Sequence, residues 1–111
     1  MTPEGKPCIT AVPLGNRTVL VTGAGGSIGS ELARQVAKFG PANLLLVERA
    51  EFALFNIDHE LKKTWPDLNI TPLVADVGDE SRMRQIFEGF RVEVVVHANT
   101  ENAIRRKSFA R

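Results

Sequence analysis

Residues 19–36 read Val19-Leu-Val-Thr-Gly-Ala-Gly-Gly-Ser-Ile-Gly-Ser-Glu-Leu-Ala-Arg-Gln-Val36, and their pattern is the strongest indication of the fold. It joins a short apolar strand to an amphipathic helix through a turn with glycines at 23, 25, 26 and 29. So tight a turn needs residues without a Cβ, and phosphate oxygens can then reach its main-chain N–H groups. The positive end of the helix also attracts an anion. The spacing Gly23-x-x-Gly26-x-x-Gly29 therefore predicts a site for a dinucleotide's diphosphate, with Gly29 allowing the helix to pack closely on the strand.

The rest of the chain alternates between strand and helix patterns. Apolar periodicity predicts strands at 18–22, 43–48, 70–75 and 92–97 and helices at 27–39, 51–64 and 79–89. Because parallel strands need right-handed crossovers, we expect an α/β fold. It is a Rossmann-like three-layer α/β/α arrangement with a parallel sheet of order 3-2-1-4 and an incomplete second half. Strand four would then be a free edge, and Val94, Val95 and Val96 predict a homo-oligomer or aggregation through it.

Each predicted helix has an apolar face. The faces comprise Ile28, Leu32, Val36 and Phe39 in the first helix, Leu54, Ile57, Leu61 and Trp65 in the second, and Met83, Ile86, Phe87 and Phe90 in the third. Phe52 and Phe55 widen the second face, and we expect them in the core rather than stacked on a nucleotide base. Asp79 is expected to cap the third helix, and His59 is expected on the surface.

Size and composition exclude several classes of protein. The 111 residues are 43% hydrophobic and 24% charged, which is typical of one globular domain. The single cysteine, Cys8, excludes an internal disulfide framework and favours a reducing, cytoplasmic compartment. No apolar run approaches membrane-spanning length, and no metal-ligand spacing occurs. We expect a leader at 1–17, a dinucleotide-binding domain at 18–98 and a basic tail at 99–111. Because no nucleic-acid-binding module accompanies the basic tail, we expect its charged side chains to be solvated.

In this fold, ligands bind beyond the carboxyl ends of the strands, so the residues that follow each strand are candidates. Glu48 lies 19 positions after Gly29 and could accept hydrogen bonds from the adenosine ribose, which favours NAD. Arg49 could bind a 2′-phosphate instead, so NADP stays open. Asp76 could accept from the adenine amino group, or it could simply start a turn with Gly78.

Three further residues complete the predicted binding site. The backbone N–H of Val77 could reach an adenine ring nitrogen, and His97 and Ala98 would lie near the centre of the cofactor. The predicted cofactor-binding residues are Gly23, Gly26, Ser27, Ile28, Gly29, Glu48, Arg49, Asp76, Val77, His97 and Ala98. We predict no catalytic residue and no metal ligand.

Four segments resemble a known family: Thr22-Gly-Ala-Gly-Gly-Ser-Ile-Gly29, Glu51-Phe-Ala-Leu-Phe-Asn-Ile57, Ala75-Asp-Val77 and Val94-Val-Val-His-Ala98. They are similar to the extended short-chain dehydrogenase/reductase superfamily. The branch they most resemble is the CapD-like polysaccharide-biosynthesis proteins, nucleotide-sugar 4,6-dehydratases that act on UDP-N-acetylhexosamines. The resemblance covers residues 17–98, the first half of such an enzyme. The resemblance implies that a complete enzyme of this kind, a lyase, would oxidise the sugar at C4 with its bound nicotinamide, eliminate water across C5 and C6, and return the hydride to C6.

The chain also departs from that family. Asn99-Thr100-Glu101-Asn102 replaces the His-Ala-Ala-Ala-His-Lys-type stretch that follows strand four in the family. The family's Tyr-x-x-x-Lys motif has no counterpart because the sequence contains no tyrosine. The version of this motif that this branch often uses, with methionine in place of tyrosine, is also missing, because neither Met1 nor Met83 has a lysine four residues later. We therefore expect this polypeptide to be inactive alone, as a truncated polypeptide, a frameshifted product or one part of a split protein. A UDP-sugar would bind only a complete parent enzyme.

Two other hypotheses stay open. The chain could be a non-catalytic NAD(P)-binding module for sensing or interaction, with Ile104 and Phe109 of the tail docking on a partner. It could also be an oligomeric remnant that binds no ligand.

Overall fold

The computed structural model describes residues 14–98 and the backbone of residues 104–106. The bounds of its elements are β1 Thr18–Thr22, α1 Ser27–Lys38, β2 Asn43–Glu48, α2 Glu51–Thr64, β3 Ile70–Val74, α3 Glu80–Phe90, β4 Val94–His97 and β5 Ile104–Arg106. The predicted strands and helices are confirmed to within two residues at each end. Most of the predicted leader and tail lies outside the described ranges, and those boundaries stay predictions. None of the described helices is long and apolar enough to cross a membrane.

One sheet with strand order β3-β2-β1-β4-β5 forms the centre of the domain. β1 pairs in parallel with β2 and β4, and β2 pairs in parallel with β3. The predicted order 3-2-1-4 is therefore confirmed. Parallel neighbours need crossover connections, and α1, α2 and α3 provide them. The carboxyl ends of the four parallel strands consequently lie along the same edge of the sheet.

The sheet is covered on both faces. On one face, alternate residues of the strands pack with α1 and α2; the buried side chains there include Val19, Val21, Leu44, Leu46, Leu32, Val36, Leu54, Ile57 and Leu61. On the other face, the intervening strand residues pack with α3; these include Leu20, Leu45, Val47, Val95, Met83 and Ile86. Because both faces of β1, β2 and β4 are buried, the sequences of these strands are nearly continuous apolar runs rather than alternating patterns. The three predicted layers are present.

The prediction that Phe52 and Phe55 belong to the core is wrong. Phe52 is 79% exposed and Phe55 is 65% exposed. A helix turns about 100° per residue, so Phe52 lies about 160° around α2 from the buried Leu54. Phe55 lies beside the buried face rather than on it, and its ring stacks against that of His59 with centroids 6.3 Å apart.

Residues at the ends of helices are also more exposed than predicted. Ile28, at the start of α1, is 52% exposed, and Phe39, its C-cap, is 45% exposed. Phe90, the last residue of α3, is 39% exposed. The periodicity places these residues on the buried face of each helix, but they lie at the helix ends, where packing against the sheet is less complete. At the other end of α3 the prediction is confirmed, because Asp79 accepts a hydrogen bond from the N–H of Arg82.

β5 corrects the predicted free edge. It pairs antiparallel with β4, with Arg106 opposite Val94 and Ile104 opposite Val96. Strand four is therefore an inner strand of the sheet. The predicted homo-oligomer through an exposed β4 edge loses its basis, because β5 already takes the hydrogen-bonding groups on that side.

β3 forms the opposite edge of the sheet and contains a proline. Leu44 N–H donates to the carbonyl oxygen of Asn69 at 2.9 Å, and Ala75 N–H donates to that of Glu48 at 3.3 Å. Alternate residues of a strand turn their backbone groups to the same neighbour. Positions 69 and 75 therefore face β2, and Pro72 faces the outer side. Proline has no N–H to offer there, as is typical of edge strands.

Candidate functional site

Backbone hydrogen bonds and two glycines shape the turn after β1. Ala24 N–H donates to the carbonyl oxygen of Val47 at 3.1 Å, and Gly26 N–H donates to that of Gly23 at 3.0 Å. Gly23 has a φ of +62°, a left-handed conformation that residues with a Cβ rarely adopt. A Cβ on Gly29 would lie 1.8 Å from the oxygen of Gly23. Gly29 therefore lets α1 pack directly against the turn, as the spacing predicts.

The N-terminus of α1 is open to an anion. The first N–H groups of a helix have no intrahelical acceptor and are usually satisfied by a capping side chain. Here the N-cap is Gly26, which makes no side-chain cap hydrogen bond. The first turn of α1 contains no acidic residue, and Ser27 and Ile28 are exposed. The positive end of this helix is therefore not neutralised by its own sequence.

A pocket of about 360 Å³ lies at the carboxyl ends of the strands. It is lined by Thr22, Gly23, Val47, Glu48, Arg49, Ala75, Asp76, Val77, His97 and Ala98. The structure therefore brings seven of the predicted cofactor-binding residues to one cavity. The other four, at positions 26–29, form the rest of the turn and the start of α1. The volume lies within the range of small-molecule sites.

Glu48 bridges three segments. Its Oε1 accepts a hydrogen bond from Gly25 N–H at 2.9 Å, and its Oε2 accepts one from Ala50 N–H at 3.1 Å. Gly25 is not among the predicted site residues, although it is visible in the sequence as the fourth glycine of the turn. A Cβ on Gly25 would lie 2.5 Å from the Cβ of Ala53. The turn therefore contacts the start of α2 as well as the end of β2.

Asp76 and His97 each have a hydrogen-bond partner at the carboxyl ends of the strands. Asp76 Oδ1 accepts from Gly78 N–H at 2.9 Å, so Asp76 does start a turn. A carboxylate can accept several hydrogen bonds, and the adenine role of Asp76 stays a prediction. His97 Nδ1 lies 3.3 Å from Thr22 Oγ1 and links the ends of β4 and β1. Within residues 14–98 no group of three acidic, histidine or cysteine side chains could hold a metal ion.

Comparison with known sequences gives the family. The sequence profile of the polysaccharide biosynthesis protein family matches residues 19–104. The chain belongs to this family. Its relatives include the capsular polysaccharide biosynthesis protein CapD of Staphylococcus aureus, which is 43% identical over 86 residues. That match covers 77% of this chain but only 14% of CapD. The chain thus spans about a seventh of that relative's length. The family match and this relative confirm the predicted CapD-like resemblance.

Comparison with solved structures supports the fold. YwfH, an NADPH-dependent reductase involved in bacilysin biosynthesis, matches with a TM-score of 0.67 at 21% identity over 74% of this chain and 36% of its own. NAD⁺-bound xylitol dehydrogenase matches with a TM-score of 0.63 at 23% identity, over 75% of this chain and 33% of its own. This family member therefore has the short-chain dehydrogenase/reductase fold over its described residues.

Proposed function

We propose that this family member is the nicotinamide-dinucleotide-binding portion of a nucleotide-sugar 4,6-dehydratase of polysaccharide biosynthesis. One observation carries the proposal: the uncapped N-terminus of α1 lies next to a pocket whose wall includes a carboxylate at the end of β2. The first feature suits a diphosphate, and the second suits a ribose. The glycine turn fits such a ligand, because a Cβ at Gly23 would be strained and one at Gly29 would displace the turn.

The order of residues along the pocket suggests how a dinucleotide would lie. Its diphosphate would bind the turn and the amides that begin α1. The adenosine ribose would lie at Glu48, and the adenine between the ends of β2 and β3, beside Asp76 and Val77. The nicotinamide half would then extend toward His97 and Ala98, where β1 and β4 end. When bound, the cofactor supplies a hydride acceptor, while the residues of this chain bind and orient it.

The sugar chemistry belongs to a complete parent enzyme in this proposal. Oxidation of a sugar hydroxyl needs a group that takes its proton and a surface that holds the sugar. The sequence has no tyrosine for the first task. We therefore propose that the polypeptide binds cofactor but does not turn over a UDP-sugar alone. The single Cys8 is consistent with a cytoplasmic location.

The choice between NAD and NADP depends on Glu48 and Arg49. A carboxylate at the ribose favours NAD because it repels a 2′-phosphate. Arg49 is exposed and could offset that repulsion. Because Glu48 is fixed by two hydrogen bonds whereas Arg49 is exposed, we expect NAD to bind more tightly. Isothermal titration with both cofactors tests this, and tighter binding of NADP would contradict it.

A substitution at the N-cap tests the proposal itself. Gly26→Asp would place a carboxylate where it can cap α1 and occupy the donors proposed for the diphosphate. Gly26 has an ordinary φ of −78°, and a Cβ there would make a normal 3.5 Å contact. We expect this variant to stay folded, with helix stability equal or higher, and to lose NAD binding.

Gly26→Ala is the matched control, because it adds the same Cβ without the charge. We expect it to weaken binding less than Gly26→Asp does. Equal NAD affinity for Gly26→Asp and the wild type would overturn the proposed diphosphate site. So would the absence of binding of either cofactor to the wild type at millimolar concentration.

A further inference from the structure

We propose that Glu48 is a positioning residue that fixes the diphosphate turn before any nucleotide binds. Its carboxylate reaches across to Gly25 N–H in the middle of the turn, while its other oxygen holds Ala50 N–H at the N-cap of α2. The proposal rests on the proposed function for the identity of the ligand. The contact itself is a property of the ligand-free chain.

The local packing supports this role. A Cβ built on Gly25 would lie 3.0 Å from Cγ of Glu48 and 2.5 Å from Cβ of Ala53. The Glu48 side chain and Ala53 of α2 therefore both pack against the glycine backbone, where a Cβ would otherwise lie. Hydrogen bonds from N–H groups to a carboxylate are shorter and stronger than neutral ones. The turn is consequently fastened to both β2 and α2 through one side chain.

The same contact determines which amides are free for a diphosphate. Gly25 N–H is bound to Glu48, and Gly26 N–H is bound to the carbonyl oxygen of Gly23. The donors left at this end of α1 are those of its first turn, at Ser27, Ile28 and Gly29. Each oxygen of Glu48 can still accept another hydrogen bond. A ribose hydroxyl bound there would therefore be connected to the turn through a single carboxylate.

Amide exchange in the ligand-free chain tests the positioning role. In Glu48→Ala, the Gly25 amide loses its acceptor, and we expect its hydrogen exchange to accelerate by about tenfold or more. Glu48→Gln keeps the size and one acceptor oxygen, and we expect a smaller acceleration. Glu51→Ala is the matched control: it removes a neighbouring carboxylate at the start of α2, and Gly25 exchange should not change. Exchange within about threefold of wild type in both Glu48 variants would overturn the proposal.

A ligand comparison separates positioning from direct ribose binding. The probes are NAD and an NAD analogue that lacks the 2′- and 3′-hydroxyls of the adenosine ribose. If Glu48 positions the turn, Glu48→Ala weakens binding of both probes, the analogue by about tenfold. If Glu48 only binds ribose, the analogue's affinity is unchanged, and the proposal fails. Should the wild type bind neither probe, the proposed function fails, while the exchange result still decides whether Glu48 fixes the turn.

Discussion

The sharpest test of the glycine turn is Gly29→Ala. The added Cβ would lie 1.8 Å from the oxygen of Gly23, 2.6 Å from its carbonyl carbon and 3.1 Å from Cα of Ala24. Real Cβ contacts are essentially never shorter than 3.0 Å. The turn and α1 would therefore have to separate by about 1.2 Å or more. All three atoms belong to the backbone, so no side chain can rotate away to relieve the contact.

The expected cost follows from two opposing terms. Alanine is intrinsically better than glycine inside a helix by about 1 kcal/mol. Forcing extra volume into a packed site costs about 1–3 kcal/mol and more where the backbone must move. Because the contact is with backbone and is deep, we take the upper end of that range and expect a net loss of about 2 kcal/mol or more. The urea midpoint should fall by roughly 1 M or more for a domain of this size.

Gly89→Ala is the matched control. Gly89 also lies inside a helix, α3, but a Cβ there has no neighbouring atom within 4 Å. Only the helix-propensity gain applies, so we expect a stabilisation of about 0.5–1 kcal/mol. Urea unfolding followed by circular dichroism compares the two variants with the wild type. Equal midpoints for Gly29→Ala and Gly89→Ala would refute the close approach of α1 to the turn.

Three further predictions concern stability, each measured by urea unfolding. Phe52→Ser should change the free energy of unfolding by less than about 0.5 kcal/mol because Phe52 is exposed. Leu54→Ala, at a buried position of the same helix, should cost about 2–5 kcal/mol. Similar losses in the two variants would mean that the Phe52 side chain is packed. Arg34 donates a hydrogen bond to Glu60 and holds the pKa of that carboxyl below its usual value in the folded state. The stabilisation from this ion pair is therefore fully present at pH values above the pKa of the carboxyl in the unfolded chain. It is lost as the pH falls through the lower pKa of the carboxyl in the folded state. With both side chains well exposed, Arg34→Met should cost less than about 1 kcal/mol near pH 7 and nothing near pH 2, and a cost independent of pH would contradict the ion pair. Gly40→Ala should cost about 1 kcal/mol through its φ of +65° alone, since a Cβ there meets no atom, and an unchanged midpoint would show that the strain is absent.

Much of the fold is predictable because local patterns and topology agree. The glycine turn fixes one strand–helix junction, and the apolar runs with helical periodicity on either side locate the remaining elements. The crossover rule then leaves few strand orders. The site follows almost directly, since parallel strands place Glu48, Asp76 and His97 at one edge once the order is known.

What the sequence misses has physical reasons. Periodicity shows which helix residues are apolar but not how far the covering layer extends, so Phe52 and Phe39 are predicted to be buried and are not. β5 is three residues long and contains two arginines, so it has no apolar pattern to detect. The hydrogen bond between Glu48 and Gly25 depends on the approach of two segments that are 23 residues apart. Spacing and topology bring Glu48 to the same edge of the sheet as the turn, but they do not show which backbone N–H groups its carboxylate binds.

Pro72 has a consequence for solutions at high protein concentration. An incoming strand that docked beside β3 would find acceptors along the rim but would lack the central donor. Two molecules stacking side by side would thus leave an unmatched carbonyl at the middle of their junction, which penalises fibril growth from this flank. A single proline in the edge strand β3 therefore disfavours extension of the sheet in that direction.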